Sequence, residues 1–394
     1  MGSRIAMFSC EFPPYPGGIA TYASEIASAL LRLGHQPVVF SPRYSKGSFH
    51  APYPVIRCFP DQYKHAKLPW NMSIAALQLM RARYDTVIAV DLPSVLALAS
   101  VPTRARKVAI VHGTDVKSRI IGHINKYSPR SPFNAFQRVY ANSAFTKNMM
   151  LSHNPLVTTD KVRLAPLGVG EFWKRPLAPQ VVDDLLAHFL TGRRNTIALS
   201  VARLEPRKGL IQAMEAIAAL PKFIREDLTY IIAGRPVEEP YAETLRQKAR
   251  EIDADVRILG EVTKREIRAL YQQADLFLHT ATTDKYRAEG FGLVLLEAAA
   301  AGLPCIATRV DAIPEVVAEN VSGLLFDDGD AAGISNGIAS LMRDTALRRR
   351  LSSGSRDHAA RFTWDRCAEI VAGDLDISPA PEMQFMPLGA HNAR

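Results

Sequence analysis

Twelve short apolar runs, each closing on a small or polar residue and each alternating with a helical pattern, limit what this chain can fold into. The first six are "RIAMFS", "PVVFSP", "DTVIAVD", "KVAIVHG", "RVYANSA" and "KVRLAPLG". The second six are "TIALSVAR", "LTYIIAGR", "VRILGEV", "LFLHTA", "PCIATRV" and "SGLLF". Runs of this length between amphipathic segments read as parallel strands joined by helices. Two series predict two doubly wound α/β sheets rather than one very wide one, with a cleft between them. In such sheets ligands bind beyond the carboxyl ends of the strands, so the residues that follow each run carry the functional signal.

A chain of 394 residues, 47% hydrophobic and 22% charged, buries a sizeable core and suits about two domains. The linker is expected in "VGEFWKRPLAPQ", residues 169–180, where Pro176 and Pro179 punctuate a polar stretch. That gives domains 1–170 and 171–363, followed by a helix candidate, "TWDRCAEIVAGDL", and a Pro-containing tail, "ISPAPEMQFMPLGAHNAR", expected to be loosely ordered. "MGSRIAMFSCEF" does not read as a secretory segment, and Ala6 breaks the myristoylation pattern. The longest apolar run, near 291–307, contains Glu297 and Pro304 and does not suit a bilayer span. The expected location is the cytoplasm, with any membrane contact peripheral.

Cys10, Cys58, Cys305 and Cys367 are scattered, without C-x-x-C spacing or a neighbouring His cluster, so they are assigned no metal and no disulfide. The charge is more informative. Residues 1–170 hold 20 Lys and Arg against 7 Asp and Glu, a net of +13; the remainder holds 28 against 32, a net of −4. A field confined to one half concentrates anions such as phosphorylated small molecules or acidic lipid, although surface solubilisation explains it equally simply. Nucleic acid is a poor fit, because neither a base-reading basic helix nor an aromatic stacking platform is evident.

The densest constellation is "LFLHTATTDKYRAEGFGLVLLEAAAAGLP", residues 276–304, which reads as strand, loop and a helix ending at Gly302 and Pro304. Gly290 and Gly292, around Phe291 and just before Leu293, leave the helix N-terminus uncovered, so its unpaired N–H groups can face an anion such as a diphosphate. Glu289 falls in the loop and Glu297 on the helix, where a carboxylate can accept two ribose hydroxyls. Two surface glutamates remain the plain alternative. Arg203 and Lys208, in "SVARLEPRKG", follow a strand and pair a planar donor fork with a compact cation; local capping is their structural alternative. Gly17 and Gly18 open a helix after the first strand, and without side chains they let backbone approach a ligand closely. His112 closes "KVAIVHG"; Asp115, three residues on, is expected to cap the next helix.

Taken together these motifs resemble the retaining, nucleotide-sugar-dependent glycosyltransferases of family 4, also described as glycosyl transferases group 1, which have the GT-B fold. Glu289 and Glu297 match that family's E-x7-E element. "GG" at 17–18, "HG" at 112–113, "NS" at 142–143, "PLGV" before the linker, "SVARLEPRKG" and "DAIPEVV" fall in the family's order. The resemblance covers nearly the whole chain. It implies two Rossmann-like domains facing a central cleft, the first for the acceptor and the second for the nucleotide sugar, with residues 364–394 packing back on the first domain. It also implies that Glu289 touches sugar hydroxyls, Glu297 the ribose, and Arg203 and Lys208 the diphosphate, while Gly17, Gly18, Gly290, Phe291, Gly292 and Leu293 line the donor and His112 supports the reacting centre.

On this resemblance transfer proceeds on one face of the sugar, the leaving diphosphate oxygen taking the acceptor proton. Neither an enzymic nucleophile nor a metal or other cofactor is then expected. The donor is a nucleoside-diphosphate sugar, UDP mildly preferred and GDP open, carrying a hexosyl or N-acetylhexosaminyl unit. The acceptor is a glycan, lipid-linked or phosphorylated small molecule, and the basic half points to an anionic one. Arg104, Arg106 and Lys107 in "RARK", Lys117 and Arg119 in "KSR", and the stretch from Lys126 to Arg130 are the candidate contacts, with "FHAPYPVIRCFPDQYKHAKLPWNM" as pocket, interface or variable loop. A phosphorylase, a sugar-nucleotide epimerase or a non-catalytic nucleotide-sugar-binding relative would share the architecture.

Overall fold

The structure of the protein is a computed structural model, and it describes residues 2–44, 48–60, 68–117, 121–122, 131–192 and 196–373. The first sheet contains β1 (Arg4–Phe8), β2 (Gln36–Pro42), β3 (Val55–Phe59), β4 (Thr86–Ala89), β5 (Arg106–Val111), β6 (Arg138–Ala141) and β7 (Val162–Leu164). Its strand order is β3-β2-β1-β4-β5-β6-β7, and its pairs are parallel. The second contains β8 (Thr196–Val201), β9 (Leu228–Ala233), β10 (Asp255–Gly260), β11 (Leu276–His279), β12 (Cys305–Thr308) and β13 (Gly323–Phe326), in the order β10-β9-β8-β11-β12-β13. Twelve of these strands are the apolar runs. The thirteenth, β3, lies inside the segment read as pocket, interface or variable loop: Phe59 is buried, its ring tilted against Phe8 with centroids 6.1 Å apart. A five-residue edge strand flanked by prolines carries too little alternation to stand out.

The central strands β4 and β8 are buried along their whole length, which is why they read as continuous apolar runs rather than alternating ones. Each sheet reverses its winding once, between β1 and β4 in the first and between β8 and β11 in the second. These switch points place the ends of β1, β8 and β11 at the cleft. The helix Gly18–Arg32 that follows β1 buries one stripe, Ala20, Tyr22, Ala23, Ile26, Ala27, Ala29 and Leu30, and exposes the opposite face.

Crossings between the sheets lie side by side. The Val169 N–H donates to the Phe362 carbonyl at 3.1 Å, and a Cβ on Gly168 would sit 2.2 Å from the backbone nitrogen of Trp364. The terminal helix Trp364–Gly373 then packs on the first domain. Trp364 meets the edge of Tyr22 at 5.8 Å, Tyr140 donates to the Val371 carbonyl at 3.3 Å, and Trp364, Cys367, Ala368 and Val371 are buried. The exposed Arg32–Asp365 pair adds little, since surface ion pairs are worth under about 1 kcal/mol. The tail after Gly373 lies outside the described residues. Among those described, no helix is long and apolar enough to cross a membrane.

Trp364→Ala is expected to cost about 3–5 kcal/mol of unfolding free energy, read by urea denaturation. Gly168→Ala should do comparable damage, because its methyl would overlap backbone that has nowhere to move. An unchanged midpoint in both variants would show that the terminal helix is not part of the core.

Candidate active site

Directly after β8 the chain makes a tight turn, Pro206–Lys208, and leaves it through Gly209 at φ 63°. A Cβ at Gly209 would sit 1.5 Å from the Thr280 carbonyl, so only glycine lets the turn lie this close to the end of β11. The turn aims Arg207 and Lys208 together at Glu289. Arg207 donates to the Glu289 carboxylate at 3.0 Å, Lys208 pairs with the same oxygen, and the His279 Nε2 lies 3.9 Å away. All three charged side chains are about nine-tenths buried. Burial alone would raise Glu289, but Lys208, His279 and Arg207 outweigh it and hold the carboxyl well below the usual carboxylate range. Burial depresses the Lys208 ammonium, an effect that Glu289 opposes. His279 is pushed down to about 4 by burial and then by Lys208, so it is neutral at physiological pH.

Glu205 organises the other side of the cluster. Its buried carboxylate receives Arg203 and Arg207 at 3.0 Å each and Arg287 at 2.8 Å. Four cations therefore face two carboxylates, a surplus of two positive charges in a partly desolvated hollow. Arg203 and Arg287 are each about half exposed and free to meet a ligand, whereas Arg207 is enclosed.

The loop carrying Glu289 opens the helix Leu293–Ala301 through Gly292 at φ 84°, with no side-chain cap on its first N–H groups. Phe291 is buried, its ring against Phe362 at 6.1 Å, so only its backbone remains for a ligand. Across the cleft, Gly17 and Gly18 open the helix Gly18–Arg32, again uncapped. Gly17 is extended at φ 161°, so the pair does not make a left-handed turn; what glycine provides is closeness. A Cβ at Gly17 would lie 3.2 Å from the Glu11 carboxylate, and one at Gly18 would lie 3.9 Å from the Leu293 side chain. Two bare helix N-termini thus converge from opposite domains.

Glu297 sits one turn along the helix, accepting a hydrogen bond from the Tyr271 hydroxyl at 3.3 Å. Burial raises its carboxyl to about 7, with Lys264 pulling the other way. Glu11 is likewise raised to about 7 by burial and then by Asp91, against the pull of Arg203 and Arg235 from the facing domain. His112 is half-buried at the end of β5. Its Nε2 donates to the Val90 carbonyl at 2.9 Å, and its ring meets the edge of Tyr22 at 4.9 Å. The Asp115 carboxylate accepts the backbone N–H of His112 at 2.9 Å and closes the turn that carries it; the start of the helix it was expected to cap lies outside the described residues.

Three of the basic residues read as acceptor contacts are misplaced. Arg104, Arg106 and Lys107 lie at the amino end of β5, the end of the sheet away from the cleft. Lys107 is also buried, its ammonium donating to the carbonyls of Leu98 and Val101 at 2.8 and 2.6 Å, and burial lowers it to about 8. It satisfies the C-terminal carbonyls of the helix Leu92–Ala99. Lys117, beyond the carboxyl end of β5, acts electrostatically on Asp311 and so stays at the cleft. Arg119 and the stretch 126–130 lie outside the described residues. Sequence reading missed Arg207, Glu205, Arg287, His279, Tyr271 and Glu11. The only signal for Arg207 was its place beside Lys208, and neither residue type nor spacing reveals which way a three-residue turn points them.

Comparison with known proteins bears on this geometry. The model of "Glycosyltransferase Family 4" matches residues 16–170, and that of "Glycosyl transferases group 1" matches residues 188–358. The chain belongs to the GT-B glycosyltransferases. A "GDP-mannose-dependent alpha-(1-6)-phosphatidylinositol monomannoside mannosyltransferase" of Mycobacterium tuberculosis is 27% identical over 95% of this chain and 98% of its own length. A "D-inositol 3-phosphate glycosyltransferase" of Salinispora arenicola is 34% identical, but over 47% of this chain and 41% of that protein, so the match spans under half of it. Among solved structures, a glycosyltransferase from Rickettsia africae superposes with a TM-score of 0.77 at 19% identity, over 95% of this chain and 98% of that one. Anabaena HepE in complex with UDP-glucose superposes at 0.76 and 21%, over 95% and 99%. At these identities the structures show the shared fold.

In this glycosyltransferase the folded chain holds on Glu297 a proton that the unfolded chain releases. Folding raises the carboxyl from 4.5 to about 7, so the resulting stabilisation is complete below pH 4.5 and is lost as pH rises through 7. Glu297→Gln should therefore be more stable than the parent by about 2–3 kcal/mol at pH 8 and indistinguishable from it near pH 4, by urea unfolding at both pH values. An equal difference at the two pH values would mean that the carboxyl titrates normally.

Proposed function

We propose that this glycosyltransferase is retaining and metal-independent, moving a hexosyl or N-acetylhexosaminyl unit from a nucleoside-diphosphate sugar to a hydroxyl of an anionic or membrane-presented acceptor in glycoconjugate biosynthesis. The observation that carries the reading is the cation cluster opposite two bare helix N-termini. Its surplus of two positive charges suits a diphosphate, and donors fixed before the ligand arrives stabilise the charge that builds on a leaving diphosphate without reorganising. Arg203, Lys208 and the N-terminus at Leu293 hold the diphosphate, Glu297 the ribose and Glu289 the sugar hydroxyls. Glu289 is already neutralised by Lys208 and Arg207, which suits binding better than nucleophilic attack. The leaving oxygen takes the acceptor proton on the same face of the sugar, and His112, oriented by Val90 and Tyr22, supports the reacting centre. With lysine and arginine supplying the charge, no step calls for a metal.

The sequence leans to UDP, whereas the relative aligned end to end is named for GDP-mannose, and that likeness makes GDP-mannose the first donor to test. An acceptor presented on an anionic bilayer is supported by the +13 of residues 1–170. Trp70, Leu77 and Met80, three exposed apolar side chains near Arg81 on the helix Leu68–Arg81 of that domain, support it as well. On this reading the protein works at the cytoplasmic face of a membrane.

Calorimetry with UDP, GDP, ADP, TDP and their sugars is expected to find one nucleotide bound, with Lys208→Ala weakening it at least about tenfold through the lost charge-assisted contact. Because ribose hydroxyls donate to an ionised carboxylate, affinity should rise as pH goes from 5.5 to 7.5 and lose that rise in Glu297→Gln. Absence of heat with every nucleotide would falsify the donor site. Flotation with phosphatidylglycerol-containing vesicles, but not neutral ones, is expected for the parent and reduced in a Trp70→Ala, Met80→Ala double variant; equal recovery on both vesicle types would leave a soluble anion as the acceptor.

A further inference from the structure

Two motifs remain without a role in donor chemistry, "NS" at 142–143 in the first domain and "DAIPEVV" at 311–317 in the second. The structure brings them together. The helix Ala144–His153 follows β6, and its first two N–H groups are taken by one side chain from the other domain: Ala144 donates to Glu315 Oε2 at 2.6 Å and Phe145 to Oε1 at 2.7 Å. A carboxylate astride a helix N-terminus meets both unpaired donors and the positive end of the dipole. The helix already has its own cap, since Ser143 Oγ accepts the Thr146 N–H at 3.0 Å, so local capping does not require Glu315.

The same helix start grips the loop that carries Glu289. Ser143 donates to the Gly290 carbonyl at 2.8 Å, and the Thr146 hydroxyl lies 3.3 Å from the same oxygen. On the other flank, the Thr114 hydroxyl accepts the Ala288 N–H at 3.1 Å and donates to the Ala288 carbonyl at 3.2 Å. The first domain therefore holds the residues immediately before and after Glu289. Glu289 itself is held from the second domain: its N–H donates to Asp311 at 2.7 Å, and its carbonyl accepts the Ala312 N–H at 3.2 Å. Asp311 adopts φ 52°, a left-handed conformation that a non-glycine residue keeps only where its surroundings impose it. The fit leaves no slack, because a Cβ on Gly290 would sit 1.8 Å from the His112 carbonyl.

Residues 311–315 thus fix the backbone of Glu289 at one end and the opposite domain at the other. We infer that Glu315 is a positioning residue: by seating the helix Ala144–His153 on the second domain, it couples closure of the cleft to the placement of Glu289. When the domains part, Ala288 and Gly290 lose Thr114, Ser143 and Thr146, and Glu289 keeps only its partners within the second domain. The role in transfer rests on the proposed assignment of Glu289 to the donor sugar; the coupling itself does not.

The test compares Glu315→Ala with the isosteric Glu315→Gln in the full chain. Amide hydrogen exchange on the ligand-free protein reads peptides covering 143–150 and 286–293, with a peptide from β8 as the internal control for folding. Both cleft peptides are expected to exchange faster in Glu315→Ala and by a smaller factor in Glu315→Gln, whose amide keeps one acceptor oxygen, while the β8 peptide stays unchanged. With the donor identified by calorimetry, turnover of that donor should lose about 10- to 100-fold in kcat in Glu315→Ala, the scale of a misplaced catalytic loop, while donor Kd moves less than about threefold. Faster exchange confined to 143–150, with 286–293 still protected, would overturn the inference and leave Glu315 a helix cap. If the parent binds no nucleotide sugar, the transfer reading falls and the exchange pattern alone decides the coupling.

Discussion

Burying Glu289 with Lys208 and Arg207 is the constraint around which the rest of the cleft is arranged. A lone charge taken out of water costs several kcal/mol, so each member requires the others in place. That requirement fixes two segments far apart in sequence, the turn after β8 and the loop after β11. Neighbouring strands hold them within reach, because β8 and β11 flank the switch point of the second sheet. Gly209 follows from the same demand, since any side chain there would part the turn from the end of β11. Glu205 completes the arrangement by drawing Arg203, Arg207 and Arg287 to one point against their mutual repulsion. The cluster keeps a positive excess that the protein leaves unsatisfied.

Much of this was legible. The six runs of the second series are six strands, the helix after Glu289 ends at Gly302 as its glycine and proline indicate, and Trp364–Gly373 is helical where its apolar spacing places a helix. These features depend on local periodicity and on glycine, and both are written along the chain. The role of Lys107 was not legible, because a lysine in a basic run and a lysine sealing a helix end have the same sequence signature. Only the packing of β5 on the helix Leu92–Ala99 separates them. The clip that Asp115 makes to the His112 N–H was not legible either, because an Asp three residues after a strand-end His gives no sign of which backbone it turns to. The Gly17-Gly18 pair was recognised for the close approach it allows, and Gly17 provides it from an extended backbone directly before the helix.

The cleft is bound at both margins. At one, the chain crosses between domains twice within a few ångströms, at 168–169 and 362–364, so the connection is a paired strap rather than a single flexible thread. At the other, Ser143 and Thr114 close polar contacts on the loop that carries Glu289, and Glu315 holds the start of the helix Ala144–His153. Strap and clasp differ in kind. The strap seats Val169 and Trp364 in the core and adds a backbone hydrogen bond, so opening it would expose core; the clasp is built of hydrogen bonds, those of Glu315 at an exposed margin where they exchange readily with water. Motion between the domains is therefore cheapest at the clasp, which is the margin where Glu289 is held.

A packed path joins the two margins. Trp364 at the strap rests on Tyr22, Tyr22 rests on His112, and the His112 carbonyl faces Gly290 and accepts from Asn142 at 3.4 Å. Protein interiors transmit displacement because they have little free volume, so Trp364 cannot shift far without moving the ring of Tyr22 and the strand end that carries His112. The His112 ring is pinned to Val90 and its backbone to Asp115, which leaves it no independent freedom. The terminal helix therefore does more than complete the fold of the first domain. By returning across the cleft it bears, through two aromatic contacts, on the distance at which the backbone of one domain meets the Glu289 loop of the other, and glycine at 113 and 290 is what permits that distance.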